Sequence, residues 1–248
     1  VFDDSILDNI TAVGTSILIL LLIGAVSGSW MISGVVPTMI YYGLQIVNPK
    51  IFLFVCCFIS AIVSVMTGSS WTTIATIGVA LIGIGQGQGI PTPWIAGAII
   101  SGAYFGDKIS PLSDTTVIAS SSSGTPLFTH IRYMMITTVP SFIIASLVFL
   151  IVGFTFNTSS EGDVLLFIDA LKETFNISLL LLLIPLITLT MIFLKMPSLV
   201  VLFVSAFMAA VTIPIAQPEI ISSIIDAEGD RTFMDYFKAI FVSCYGNT

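Results

Sequence analysis

Long apolar runs alternate with short polar breaks along this chain. A helix needs about 20 apolar residues to span hydrocarbon. Residues 11–26 approach that length and run into a broken stretch, Ser27-Gly-Ser-Trp30. Residues 134–156 and 177–193 are free of charge; the second is closed by Lys195 and carries Pro185 as a candidate kink. Residues 197–215 follow the Lys195-Met-Pro197 break, and residues 51–66 enter after Asn48-Pro-Lys50. Each of these runs predicts a spanning helix.

Other apolar runs are short or interrupted. Residues 35–47 carry Pro37, residues 71–84 lie between Gly68-Ser-Ser70 and Gly85-Gln-Gly-Gln-Gly89, residues 94–105 run into Gly106-Asp107-Lys108, and residues 115–123 end in serines. In lipid every backbone polar group must be satisfied, so broken helices survive only where protein or a water-filled cavity surrounds them. Transporters use such segments to present carbonyls and helix ends to ions. The pattern predicts an all-α integral membrane protein, a multi-spanning helical bundle with broken or re-entrant helices. Residues 1–248 read as a single transmembrane domain. Residues 157–176 read as an extramembrane or interfacial amphipathic connection, with Leu165, Leu166, Ile168, Leu171 and Phe175 at helical spacing. Thr125 to Tyr133 also reads as interfacial. A short echo, Gly28-Ser-Trp30 against Gly68-Ser-Ser-Trp71, fits a transporter with structural repeats. Trp30, Trp71 and Trp94 fit interface anchors or packing beside broken helices.

Composition sharpens this picture. The 248 residues are 56% hydrophobic and 8% charged, against about 25% charged in soluble domains; mean hydropathy is +1.09. A lipid bilayer is the expected partner and the cell membrane the expected location. The net charge of -7 argues against nucleic acid. Cys56, Cys57 and Cys244 form no disulfide framework and read as small apolar side chains. The chain opens on Val1 and stops just after an apolar stretch begins at Phe237, so a piece of a longer protein is expected.

The chemistry concentrates in Gly102-Ala-Tyr-Phe-Gly-Asp-Lys-Ile-Ser-Pro-Leu-Ser-Asp-Thr-Thr116. Asp107, Lys108 and Asp114 stand there between uncharged runs, and ionisable groups at membrane depth line ion paths or pair with each other. Gly106 and Pro111 are candidate helix breakers. Ser110, Ser113, Thr115 and Thr116 add hydroxyl oxygens. A hard cation such as Na+ wants oxygen ligands, and a desolvated carboxyl favours its protonated form. A cation that displaces that proton couples Na+ and H+ in opposite directions, provided the site faces one side at a time. Na+ is therefore placed at Asp107 and Asp114, with Na+ and H+ as cargo and no cofactor. If Lys108 pairs with Asp107, Asp114 is the better proton carrier; if it points elsewhere, the roles reverse. Thr67-Gly-Ser-Ser-Trp-Thr-Thr73 offers Ser69, Ser70, Thr72 and Thr73 as supporting oxygens, or as small residues for helix packing. His130 is a candidate pH sensor.

An enzyme is the competing class. A metalloprotease needs two histidines in H-E-x-x-H, and this chain has one. A serine nucleophile needs a base, and His130 lies near an expected interface. An aspartyl dyad from Asp107 and Asp114 is the last enzymatic reading; the expectation is a transporter and no enzyme.

The stretches Thr67-Gly-Ser-Ser-Trp-Thr-Thr73 and Ile100-Ser-Gly-Ala-Tyr-Phe-Gly-Asp-Lys-Ile-Ser-Pro-Leu-Ser-Asp-Thr-Thr116 strongly resemble the NhaC family of Na+/H+ antiporters. Phe128-Thr-His-Ile-Arg132 and Gly34-Val-Val-Pro-Thr-Met-Ile-Tyr-Tyr-Gly43 look like that family too. The resemblance implies a secondary transporter with inverted repeats and broken helices. It also implies a choice of cargo, because some members exchange Na+ for H+ and others couple it to organic acids such as malate and lactate. Where the family often continues Asn-Leu-Ala after the motif, this chain has Val117-Ile-Ala119.

Overall fold

The computed structural model describes residues 2–156 and 161–220. Helix α1 (Phe2–Ile32) is followed by α2 (Val35–Ile46), and a 3-10 turn at Pro49–Ile51 leads into α3 (Phe52–Thr67). Helix α4 (Ser70–Thr73), a π-helical turn (Ile74–Gly78) and α5 (Val79–Gly87) run on without a gap. Then come α6 (Thr92–Ile109), α7 (Asp114–Ser122), α8 (Leu127–Thr155) and α9 (Glu161–Thr174). A second 3-10 turn, Leu179–Leu182, opens α10 (Leu183–Phe193), and α11 (Ser198–Ala216) ends the described bundle. Among the described residues there is no strand.

Three stretches, Pro49–Thr67, Leu127–Thr155 and Ser198–Ala216, are long and apolar enough to cross a membrane. Two more reach that length only as bent pairs: Ile17–Ile32 with Val35–Ile46, at 68°, and Val164–Thr174 with Leu179–Phe193, at 93°. The surface is inverted relative to a water-soluble fold. Ile136, Ile144 and Ile151 on α8 and Phe203 and Phe207 on α11 face outward, while Ser29, Ser60, Ser64, Thr188 and Ser205 are buried. An exterior of large apolar side chains over a small, hydroxyl-rich interior is what lipid as solvent favours.

Several elements differ from the sequence expectation. The broken stretch at residues 27–30 is helical, because α1 runs through it to Ile32. Ser29 Oγ donates to Val26 O at 3.3 Å and Ser33 Oγ to Trp30 O at 3.3 Å, so these hydroxyls fold back on their own helix. The turn comes at Gly34, φ +82. The two tryptophans of the short echo are therefore not equivalent: Trp30 precedes its break, and Trp71 follows the break at Gly68. The predicted span 177–193 is an 11-residue helix entered through a 3-10 turn. Pro185 lies in its first turn, where no N–H is needed, and so opens α10 rather than kinking it. Gly106 does not break α6, which continues to Ile109. Residues from 127 belong to the long α8 rather than to a separate interfacial piece. On α9 the inward residues are Phe167, Ile168 and Leu171, while Leu165 and Leu166 are exposed. Residues 157–160, the acids from Asp226 onward and Cys244 lie outside the described residues.

Helices α3 and α6 make the closest helix pair. A Cβ on Gly102 would strike Cys57 O, and one on Gly106 would strike Ala61 O. Both contacts advance in step, so the two helices run parallel and end on the same side. Ser64 Oγ donates to Ala103 O across this seam. Close approach through small residues is how helices associate where lipid removes the hydrophobic drive. Cys56 and Cys57 bury here as small side chains.

Candidate functional site: a cavity where two chain reversals meet

Because α3 and α6 end together, the reversals that follow them touch. After α3 the chain turns at Gly68, φ +65, and a Cβ there would collide with the backbone of Leu112. Only glycine fits both the conformation and the space. After α6 the chain crosses from Ser110 to Ser113 through a turn at Pro111 and Leu112, closed by the Ser113 N–H to Ser110 O at 3.3 Å, before α7 begins. Ser110 Oγ donates to Val65 O at 2.7 Å and accepts from Leu112 N at 3.2 Å, which pins this crossing to the end of α3.

The first reversal is organised by hydroxyls. Ser69 caps α4, accepting from Thr72 N at 3.3 Å and from Thr72 Oγ1 at 3.2 Å. Thr67 Oγ1 accepts from Ser69 N at 3.1 Å and meets Thr73 Oγ1 at 3.2 Å. Thr73 Oγ1 donates to Ser69 O at 3.0 Å. One turn on, the π-helical turn is accompanied by Thr76 Oγ1 donating to Thr72 O at 2.7 Å. Single π turns mark functional segments of helices, and periodicity in the sequence carries no signal for one.

A cavity of about 540 Å³ opens between the two reversals and the turn joining α10 to α11. Thr67, Ser69, Thr72, Asp107, Ser113, Asp114, Thr115, Lys195 and Ser198 supply its polar wall; Trp71, Leu112, Met196 and Leu199 are among its apolar lining. Asp107 is half-buried, and Ser70 Oγ donates to its Oδ2 at 3.0 Å. Asp114 is exposed in the first turn of α7, where a carboxylate is favoured by the helix dipole. Ser113 and Thr115 share a hydrogen bond of 2.8 Å beside it.

The structure thus brings Asp107, Asp114, Ser69, Thr72, Ser113 and Thr115 to one cavity, with Ser70 acting through Asp107. It places the other candidates elsewhere. Ser110 braces the crossing. Thr116 Oγ1 donates to Lys108 O at 3.1 Å, tying α7 back to the end of α6. Thr73 stands behind Ser69, and Lys108 points away to the exposed surface, off the cavity wall. His130, in the first turn of α8, is half-buried with an enclosed Nε2 that has no hydrogen-bond partner. Two polar residues of the wall, Lys195 and Ser198, were missed by local reading, because they come from a turn about 80 residues from the motif. The one available signal was a charged residue closing an apolar run.

Apolar outer faces, bent helix pairs and touching helix breaks define an all-α, helix-bundle membrane protein. The chain belongs to the Na+/H+ antiporter family, whose family model matches residues 2–121 and 102–226. It is 45% identical over 201 residues to the Na(+)/H(+) antiporter NhaC of Alkalihalophilus pseudofirmus, covering 81% of this chain and 44% of that protein. It is 43% identical over 198 residues to the Malate-2H(+)/Na(+)-lactate antiporter of Bacillus subtilis, covering 79% of this chain and 42% of that protein. It is 38% identical over 199 residues to the Arginine/ornithine antiporter ArcD of Halobacterium salinarum, covering 79% and 41%. The chain therefore spans less than half the length of these relatives. No solved structure matches it.

Proposed function

We propose that this chain forms part of a multi-pass secondary transporter of the cell membrane that exchanges Na+ for H+ at Asp107 and Asp114. The observation that carries the reading is that both carboxylates face one cavity, among the hydroxyls of Ser69, Thr72, Ser113 and Thr115. Such oxygens suit a hard monovalent cation. The Ser70 hydroxyl holds Asp107 in a fixed orientation. A proton and a Na+ ion compete for the same carboxyl oxygens, so loading one releases the other. No cofactor and no covalent step enter this cycle, and the bilayer is the partner that separates the two sides.

A second reading is an antiporter of small organic acids or amino acids coupled to Na+ or H+. Lys195 on the cavity wall favours it, because an ammonium there is a partner for a substrate that carries a carboxylate of its own. The malate/lactate and arginine/ornithine antiporters among the relatives agree with it.

The test uses the full-length protein in proteoliposomes holding a pH gradient. Addition of Na+ alone should dissipate the gradient, and Asp107→Asn and Asp114→Asn should each sharply slow the response. A response that appears only with malate, lactate or a basic amino acid selects the second reading. Full activity in both variants removes the site.

A further inference from the structure

Lys195 closes α10 in a conformation that its side chain does not favour. Its N–H bonds to Ile192 O at 2.9 Å, and the Met196 N–H reaches back to Met191 O at 3.2 Å. This is the paired end of a Schellman motif, whose left-handed residue is usually glycine. The same pairing ends α5 at Gly89 and α7 at Gly124, with glycine at the left-handed position both times. Lys195, at φ 58, is the one non-glycine residue with positive φ among the described residues. A left-handed conformation is unfavourable for an L-residue, and strained residues of this kind cluster at functional sites.

The strain coincides with position. Lys195 is the only basic side chain on the wall of the Asp107–Asp114 cavity among the described residues. The groups that share this wall from α1, α3, α4 and α11 are apolar or hydroxyl-bearing; the titratable ones are Asp107 and Asp114, from α6 and α7. Lys195 also belongs to a different part of the bundle, the α10–α11 turn, and is exposed on the wall it shares with the two carboxylates.

We infer that Lys195 is a specificity-determining residue: a tethered cation that competes with Na+ for the carboxylates of Asp107 and Asp114. This rests on the Na+/H+ reading above and adds a residue that sets how much Na+ is needed. With Lys195 in place the cavity wall carries a net charge of one negative unit. Without it the wall carries two, and Na+ no longer has to displace an ammonium.

The experiment measures the Na+ concentration for half-maximal gradient dissipation, and separately the maximal rate, in proteoliposomes of the full-length protein. Lys195→Gln should lower the half-saturating Na+ concentration about tenfold, the scale of one unit-charge interaction across such a cavity at an effective dielectric of about 20. Lys195→Gly should do the same, and because glycine fits the left-handed turn, this variant also raises thermal stability and guards against a folding failure. Lys195→Arg should stay within about twofold of the wild type, since the charge is kept. Unchanged half-saturation in both Lys195→Gln and Lys195→Gly, with only stability altered, would make Lys195 a helix end and overturn the inference. Loss of malate- or lactate-dependent exchange with Na+ half-saturation unchanged would make it an anion ligand and overturn it as well. A wild type without Na+-dependent exchange overturns the Na+ reading itself and this inference with it, a result separable from the others because it precedes any Lys195 variant.

Discussion

Gly34 and Gly68 each turn the chain through a left-handed residue at the end of an apolar helix, yet the surroundings of the two turns are opposite in kind. At Gly34 the break is sealed. The buried side chain of Gln217, at the end of α11, accepts from Asn176 N at 2.9 Å and donates to Asn176 O at 3.0 Å and to Ser33 O at 3.4 Å. One amide thus satisfies backbone groups freed at two helix breaks, that between α1 and α2 and that between α9 and α10. Nearby, Trp30 Nε1 donates to Ser205 Oγ at 3.0 Å and Thr188 Oγ1 meets the same oxygen at 3.0 Å, so polar groups are paired off inside the apolar core. At Gly68 the hydroxyls pair among themselves, but carboxylates and an ammonium are left facing open space. The first break is a structural joint, and the second leaves ionisable groups on the wall of an open cavity. A helix break in lipid needs its backbone groups satisfied in either case; whether charge is left over distinguishes the two.

The largest expected effect comes from adding a Cβ at the open break. Gly68→Ala meets the Leu112 backbone as well as a disfavoured φ, and should cost about 3 kcal/mol or more from strain and overpacking together. Size-exclusion thermostability in detergent would show the loss, with transport abolished. Gly34→Ala acts through the seal: its Cβ meets the Gln217 amide nitrogen and not backbone, so it should destabilise without changing the half-saturating Na+ concentration of the surviving protein. A shifted Na+ dependence in Gly34→Ala would erase the distinction between the breaks.

Next in size is the seal itself. Gln217→Leu removes the partner of the Asn176 N–H and C=O and of the buried Ser33 O, and should destabilise by about 1–2 kcal/mol. The half-saturating Na+ concentration of the surviving protein should stay at the wild-type value. A change in Na+ dependence at unchanged stability would show that the sealed break belongs to the ion path after all. Ser70→Ala should do the reverse. It removes the hydroxyl from Asp107 Oδ2, leaves stability within about 1 kcal/mol, and raises the half-saturating Na+ concentration several-fold, the scale of a hydrogen bond contributing about 1 kcal/mol. The smallest effect is expected from Trp30→Phe, which loses the bond to Ser205 at about 1 kcal/mol with transport kept.

The fold class was legible because lipid leaves a coarse signal, long uncharged runs that need no detailed periodicity. The carboxylate motif was legible for a similar reason, as charge between apolar runs. The exact position of the first break was not. Serines in Ser27-Gly-Ser-Trp30 read as breakers, but they bond back to their own helix carbonyls, and Gly34 supplies the turn instead. The boundary at Asn176 was legible as the change from an amphipathic to an apolar run, but its tie to Gln217, 41 residues away, was not. Within the site, residue type announced Asp107 and Asp114. It did not separate Ser113 and Thr115, which face the cavity, from Ser110 and Thr116, which hold the crossing together. Lys108 drew attention as the neighbour of Asp107, yet the ammonium on the cavity wall belongs to Lys195, brought in by tertiary structure.

The central claim is that Asp107 and Asp114 act on one ion in one cavity. A double-mutant cycle on Na+-driven proton release by the full-length protein, with Asp107→Asn, Asp114→Asn and the pair, measures this directly, because groups that share a ligand give non-additive losses. The account predicts that the double variant loses no more than the worse single variant. Losses that simply add, or a wild-type response in either single variant, would contradict it.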